Sequence, residues 1–337
     1  MNEKQNLTID DIARDLGVSK TTISRAISGK GRIGAETRAK VLEYIEKRNY
    51  RPSAAAKGLA ESRTYNLALV LPKTFIKLDL PHVRQHMSAV CEEAFLQDYN
   101  VMVCLSTDDN ADSLTRTLDN RKVDGVILSR TIENDALIKL LVQRKIPFAT
   151  MGSLSPAEHG RAVVEADHDQ VGGCYAFIKS VLTGATGKIA VLGNDMRYIV
   201  NQSRMAGFNQ AAEELGLPQS QILIRTGLDS QADCIGAADE MLRLGVRNII
   251  AMDDGVCISV LKRLKERSVH ITEQVKIACL YDNEQLQFYD PPISALHFDA
   301  AALGQVASRE LLRHLRGESF QAAPLLGYRI CLRESTH

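Results

Sequence analysis

Lys20, Thr21, Ser24 and Arg25 fall three and four residues apart, so a helix through them presents two cations and two hydroxyls on one face. The apolar Ile23, Ala26 and Ile27 belong to its other side. Just upstream, Ala13, Gly17, Val18 and Ile23 have the spacing of a helix-turn-helix, in which small and apolar residues pack two helices together and the second keeps its outer face free. Thr8 can cap the first helix with Asp11 three residues on, Ser19 can cap the second, and Gly17 supplies the turn between them. A third helix carries Val41, Leu42 and Ile45. Charge marks the same segment. Residues 1–63 hold 13 Lys and Arg against 8 Asp and Glu, whereas the rest of the chain holds 28 against 33, so that only the first part is suited to meet a polyanion.

Other chemistry finds no support. GKGRIG (29–34) matches a dinucleotide-binding pattern but has no strand before it, and GATGK (184–188) lacks the first glycine and the Ser/Thr of a P-loop. No triad order, paired carboxylates or metal spacing stands out, so no catalytic residue, metal ligand or cofactor is assigned. Seven cysteines without close Cys or His spacing argue against a disulfide framework or zinc cluster. No apolar run is long enough to cross a membrane, and the polar start MNEKQNLTIDD is unlike a signal peptide. A cytoplasmic location and no membrane partner are expected.

The remaining 274 residues must hold any small-molecule site, and the whole chain of 337 residues, 45% hydrophobic and 24% charged, is long enough for two or more domains. Residues 66–72, 100–107, 123–130 and 146–152 read as buried parallel strands, separated by helices near 81–97, 110–121 and 134–144. The alternation repeats with strands at 188–194, 222–227, 248–254, 275–282, 293–299 and 328–333, and helices near 201–215, 230–244, 255–267 and before 316. Two doubly wound halves are implied, with a ligand cleft at the carboxyl ends of their strands. Between headpiece and body, SAAAKGLAESRT is too short for a stable isolated helix; it reads as a linker that folds on docking.

The segment LTIDDIARDLGVSKTTISRAISGKGRIGAETRAKVLEYIEKRNYRPSAAAKGLA (7–60) resembles the LacI/GalR family of bacterial transcription regulators, and RMAGF (204–208), AMDD (251–254), LYDN (280–283) and PPISALHFD (291–299) extend the resemblance through the body. It implies an α/β protein: an all-α helix-turn-helix headpiece at 1–52, a hinge at 53–63, and a periplasmic-binding-protein-like body. The body would divide into an N-terminal effector subdomain, 64–167 with 300–324, and a C-terminal one, 168–299 with 325–337.

By the same resemblance Lys20, Thr21 and Arg25 are base-contact positions. Arg25 suits a bidentate bond to guanine, with a phosphate contact as the alternative. Thr8, Ser19, Thr22, Ser24, Ser28, Thr37 and Tyr50 correspond to phosphate contacts, Thr8 and Ser19 also serving as caps. Leu59, flanked by Ala56 and Ala60, corresponds to the hinge wedge in the minor groove, or else packs on the body. Arg204, Asp282, Asp253, His168, Asp167 and Asp229 are the implied effector contacts; for His168 a solvent-facing turn is the alternative, and for the aspartates a role as helix caps. Two departures stand out: GLD (227–229) puts Asp229 where many sugar-responsive members have a stacking aromatic, and His82 and Val83 replace a pair of aromatics after a longer first loop.

The resemblance thus implies a homodimeric repressor of a carbohydrate-utilisation operon that binds pseudo-palindromic operator DNA and is released by a sugar or sugar derivative. A purine, nucleoside or other metabolite acting as corepressor is the alternative. A non-regulatory binding protein or enzyme on the same body is the third.

Overall fold

The computed structural model describes residues 7–28, 31–48, 50, 58, 61–73, 81–107, 111–318 and 324–337, in two units, Met1–Thr64 and Tyr65–His337. In the first, α1 (Ile9–Leu16) opens with a complete capping box, the Thr8 side chain accepting from the Asp11 amide and Asp11 in turn accepting from the Thr8 amide. Such a cap contributes about 1 kcal/mol. The helix ends at Gly17, whose φ of 66° would strain a residue with a Cβ. The Val18 amide then bonds back to Ala13 and the chain enters α2 (Lys20–Ser28). Nine residues are too few for a stable isolated helix. Ile23 and Ala26 are therefore buried with Ile12, Ala13 and Val41, the last from α3 (Ala35–Lys47).

The second unit contains two sheets. β1 (Asn66–Pro72), β2 (Asn100–Ser106), β3 (Gly125–Leu128), β4 (Phe148–Met151) and β5 (Val164–Ala166) form the first, parallel throughout in the order 2-1-3-4-5. The helices α4 (Pro81–Phe95), α5 (Asp112–Asp119) and α6 (Ala136–Arg144) belong to this half. The run NLALVLP shows why the sheet is covered on both faces. Leu67, Leu69 and Leu71 enter one apolar cluster and Ala68 and Val70 another.

After α7 (Gln170–Leu182) come β6 (Lys188–Leu192), α8 (Ile199–Glu214), β7 (Ile222–Arg225), α9 (Gln231–Arg243), β8 (Val246–Ala251), α10 (Asp254–Glu266), β9 (Lys276–Cys279), the single turn α11 (Glu284–Gln287) and β10 (Ser294–Phe298). The chain then returns to the first sheet. The next helix, α12 (Ala300–Leu315), buries Leu303, Ala307, Leu311 and Leu312 against Leu67, Leu69 and Ile127. Finally β11 (Tyr328–Cys331) pairs antiparallel with β10, giving the order 11-10-9-8-6-7. Sequence periodicity anticipates most of these elements but not β5 or α7. β5 has three residues, and α7 carries Gly172 and Gly173 in its first turn, which lowers its helix propensity.

Where the chain crosses between halves, the strands run close together. The Leu326 amide bonds to the Asp167 carbonyl, and the Leu326 carbonyl accepts from the Asp169 amide. His168, between those two, lies with its ring 5.1 Å from that of Phe298 and is bonded to the Asp299 backbone.

Candidate functional site

On the headpiece, Lys20, Thr21, Ser24 and Arg25 are all exposed, and they share the side of α2 opposite Ile23 and Ala26. Lys20 Nζ lies 2.5 Å from Asp10 Oδ1 of α1, so this base-contact candidate is anchored to the preceding helix. Arg25 runs along Gly31, where a Cβ would stand 3.2 Å from both its Cδ and Nε; with a φ of 90°, glycine at 31 leaves that path open. Ser19 Oγ accepts from the Thr22 amide at 3.1 Å and pairs with Thr22 Oγ1 at 2.8 Å. Thr8 caps α1, Thr37 lies in the first turn of α3, and Tyr50 packs against the headpiece core with burial raising its phenol pKa. The side chain of Ser28, and Ala56, Leu59 and Ala60 of the hinge, lie outside the described residues.

In the body a cavity of about 180 Å³ lies at the carboxyl ends of both sheets. Ser129 and Arg130 follow β3, Asn194 follows β6, Asp253 and Asp254 follow β8, and Tyr281 follows β9. These are the carboxyl ends of strands, where the chain passes into the following helix, the usual place for a ligand in an open α/β sheet. His82 and His86 of α4, Gln170 of α7, and Tyr198, Asn201 and Arg204 at the start of α8 complete most of the wall.

Of the sequence-derived effector residues, Arg204, Asp253, His168 and Asp167 line this cavity and Asp282 and Asp229 do not. Asp282 is turned into a clamp: Arg333 donates to its two oxygens at 2.8 and 2.7 Å, with the Asp282 side chain only 7% exposed. The physical reason is the ion pair with Arg333, which holds the Asp282 carboxyl away from the cavity. Tyr281 and Asp282 are adjacent after β9, and it is Tyr281 that meets the cavity. Asp229 is exposed beside Asp195, and burial followed by that neighbouring charge raises its carboxyl pKa. His168 is 3% exposed, so its solvent-facing alternative is overturned. Asp167 already accepts from the amide and hydroxyl of Ser153, each at 2.8 Å.

Arg204 is 5% exposed; it donates from Nη1 to the Met252 carbonyl at 2.7 Å and from Nε to Gln170 Oε1 at 3.3 Å, and its guanidinium sits 5.4 Å from the centroid of the Tyr281 ring. The other face of the cavity brings His82 edge-on to Tyr281 at 5.1 Å. Burial dominates the electrostatics. It pushes His86 down to about 3 and holds His82 and His168 below the usual imidazole range, so all three rings are neutral near pH 7. It lifts Asp253 to about 6. Asp253 Oδ1 caps α10 by accepting from the Val256 amide at 2.9 Å, while Oδ2 is buried without a hydrogen-bond partner.

A strap joins the two halves beside the cavity. Ile132 and Tyr198 form an antiparallel bridge, the Glu133 amide donates to the Arg197 carbonyl at 2.8 Å, and the Ile199 amide donates to the Thr131 carbonyl at 3.1 Å. Arg130 lies 5.9 Å from the Tyr198 ring centroid across the same boundary and is paired with Asp135 at 3.1 Å. Among the described residues no group of three or more His, Cys, Asp or Glu is placed to hold a metal ion. Nor is any described helix long and apolar enough to cross a membrane. The sequence reading missed Ser129, Arg130, Asn194, Tyr198, Asn201 and His86. The strand ends themselves point to the first three; the others depend on how α4 and α8 dock.

An exposed recognition face on a helix-turn-helix, joined to a ligand-sized cavity in a two-sheet α/β body, defines a DNA-binding regulator with a binding-protein-like sensor. Residues 8–53 match the bacterial regulatory proteins of the lacI family, and residues 185–336 match the periplasmic binding protein-like domain. Catabolite control protein A of Priestia megaterium is 25% identical over 98% of this chain and 99% of its own length, and the HTH-type transcriptional repressor PurR of Pasteurella multocida is 24% identical over 94% of each. In fold, the lac repressor dimer bound to operator and the anti-inducer ONPF superposes with a TM-score of 0.77 at 19% identity, covering 98% of this chain and 99% of that one. The chain thus combines a lacI-family regulator headpiece with a periplasmic binding protein-like body.

Proposed function

We propose that this regulator is a homodimeric repressor of a carbohydrate-utilisation operon, released from a pseudo-palindromic operator by a sugar or sugar derivative. Each headpiece (1–52) reads one half-site through Lys20, Thr21 and Arg25, with the hydroxyl set around Thr8, Ser19, Thr22, Ser24, Ser28, Thr37 and Tyr50 on phosphates. The hinge (53–63) lays Leu59 into the central minor groove, with Ala56 and Ala60 allowing close approach. Effector bound between the subdomains, 64–167 with 300–324 and 168–299 with 325–337, favours the tilt in which the hinges fit DNA poorly; DNA weakens the effector by the same factor.

The observation that carries this reading is the cavity: buried hydroxyl, amide, imidazole and carboxyl groups beside aromatic rings, drawn from both halves. Paired donors and acceptors next to a ring face suit a polyhydroxylated ring. The Tyr281 and Tyr198 rings also favour the second reading, a planar nucleobase or nucleoside acting as corepressor.

The test is operator selection from random DNA followed by titration of the complex with sugars and nucleosides. A sugar that lowers operator affinity supports induction; a nucleoside that raises it establishes the second reading instead. In the same assay Arg25→Ala should relax preference at one base position at a cost of about 1–3 kcal/mol, while Thr22→Ala weakens all sequences alike. Full affinity in both variants would remove the recognition-helix assignment.

A further inference from the structure

Among the described residues two guanidinium groups lie in the cavity wall, and each has a partner within the protein. Arg130 holds Asp135, and Arg204 holds the Met252 carbonyl and Gln170. Against them stand the carboxyls of Asp167, Asp253 and Asp254. A second potential source of anion affinity is the N-terminus of a helix, whose free amides and dipole attract phosphate or carboxylate. At three helices around this cleft the chain's own side chains take that place. In α10 the Val256 amide bonds to Asp253 and the Gly255 amide to Asp254; in α7 the Gly172 amide bonds to Asp169; in α12 the Ala302 amide bonds to Asp299. α8 has no side-chain cap, but its first amide, at Ile199, goes to the Thr131 carbonyl.

Several of the unsatisfied groups in the described wall can accept a bond, and one of them is a carboxyl oxygen. Asp253 Oδ2 is buried with no partner, and a carboxyl oxygen there gains by accepting a bond. Ser129 Oγ and His168 Nε2 are buried and unpartnered too, and either can accept. An anion brought into this wall would meet Asp253 and Asp254 side by side and would compete with the protein partners that each guanidinium already has. A hydroxyl or ammonium would complete the hydrogen bonding of Asp253.

We propose that the effector carries no anionic group and presents a hydrogen-bond donor, hydroxyl or ammonium, to Asp253, so that the regulator responds to a free polyol or amine and not to its phosphorylated form. This rests on the reading of the cavity as the effector site. It places the signal before phosphorylation in the chemistry that consumes the ligand.

The test measures binding to the full chain by titration calorimetry for two matched scaffolds: glucose, glucosamine and glucose 6-phosphate, and adenosine and adenosine 5′-phosphate. Within a scaffold that binds, the uncharged or amino member should bind at least about tenfold tighter than the phosphorylated one, the size of a hydrogen bond to a charged group. A phosphorylated member that binds best overturns the proposal. A hit confined to adenosine ends the carbohydrate reading and leaves the charge rule standing; no binding by either scaffold ends both. Asp253→Asn keeps the Oδ1 cap and turns the other atom into a donor. It should weaken the best binder at least about tenfold without weakening the phosphorylated member. Unchanged affinity in this variant, with operator binding intact to show that it folds, also overturns the proposal.

Discussion

Replacing Arg333 by Met separates the clamp on Asp282 from any role in ligand binding. The guanidinium makes both contacts that satisfy the Asp282 oxygens and also donates to the Ile293 carbonyl at 2.6 Å, with side-chain exposures of 15% for Arg333 and 7% for Asp282. Removing one partner of a buried pair costs about 3–5 kcal/mol because the other charge is left in low dielectric. Here His297 Nδ1 lies 3.8 Å from Asp282 Oδ2 and is well exposed, so part of that cost is recovered and about 2–4 kcal/mol remains. For a body of this size the loss corresponds to about 5–10 °C in Tm. Urea and thermal unfolding of the full chain measure it. Arg333→Met/Asp282→Leu should regain most of the loss, because an apolar pair needs no compensation. A cost below about 1 kcal/mol, or a double variant no better than the single one, would refute the clamp. Asp282→Ala provides the second arm: effector affinity of the folded protein should survive. Its loss without destabilisation would put Asp282 back in the binding site.

Asp253→Asn should trade stability for function. The native carboxyl is raised from 3.8 to about 6, so at pH 7–8 the folded state carries an ionised group at a cost of about 3 kcal/mol. That cost fades as pH falls through 6 and is gone below about 4. The variant should therefore be more stable than the parent at pH 8, with the difference vanishing near pH 4 in paired thermal melts; a constant difference would contradict burial as the cause. Only the difference isolates Asp253, since His86, depressed from 6.5 to about 3, removes stability from both proteins as pH falls below 6.5. Arg204→Met strands the Met252 carbonyl and Gln170, costing about 1–3 kcal/mol, and should abolish the effector response while operator affinity holds; a full response would exclude Arg204 from the site. Gly31→Ala should lower headpiece stability by about 1–2 kcal/mol through its positive φ. It should also weaken operator binding beyond that by displacing Arg25, and anisotropy titrations with unchanged affinity would dismiss the contact.

How far the sequence carries can be seen by comparing Asp253 with Asp282. Both fall at strand ends in an α/β pattern, and the apolar runs that make β8 and β9 are plain in the sequence. Which of two adjacent residues then turns toward the ligand depends on a partner at position 333, and no local pattern encodes an ion pair that spans 51 residues. The headpiece was more legible because it is local. Its caps, its turn glycine and the apolar contacts of Ile12, Ile23 and Val41 all fall within about two turns of their signals or on one short helix face. α7 shows the reverse case. With Gly172 and Gly173 in its first turn its helix propensity is low, and the helical spacing of the buried Cys174, Phe177, Ile178, Val181 and Leu182 is the one signal that announces it.

The return of α12 to the first sheet bears on how the protein is made. Leu303, Ala307, Leu311 and Leu312, which close over Leu67, Leu69 and Leu71, are translated long after them. At bacterial rates of about 5–20 residues per second, the leucine face of β1 waits on the order of ten to fifty seconds for its cover. The headpiece, whose three helices are contiguous in sequence, faces no such delay. A ribosome that stalls or terminates before residue 300 therefore releases a chain whose DNA-reading helices can fold while its first sheet stays uncovered and prone to aggregate. Chaperone occupancy on the nascent chain should persist until α12 has left the exit tunnel.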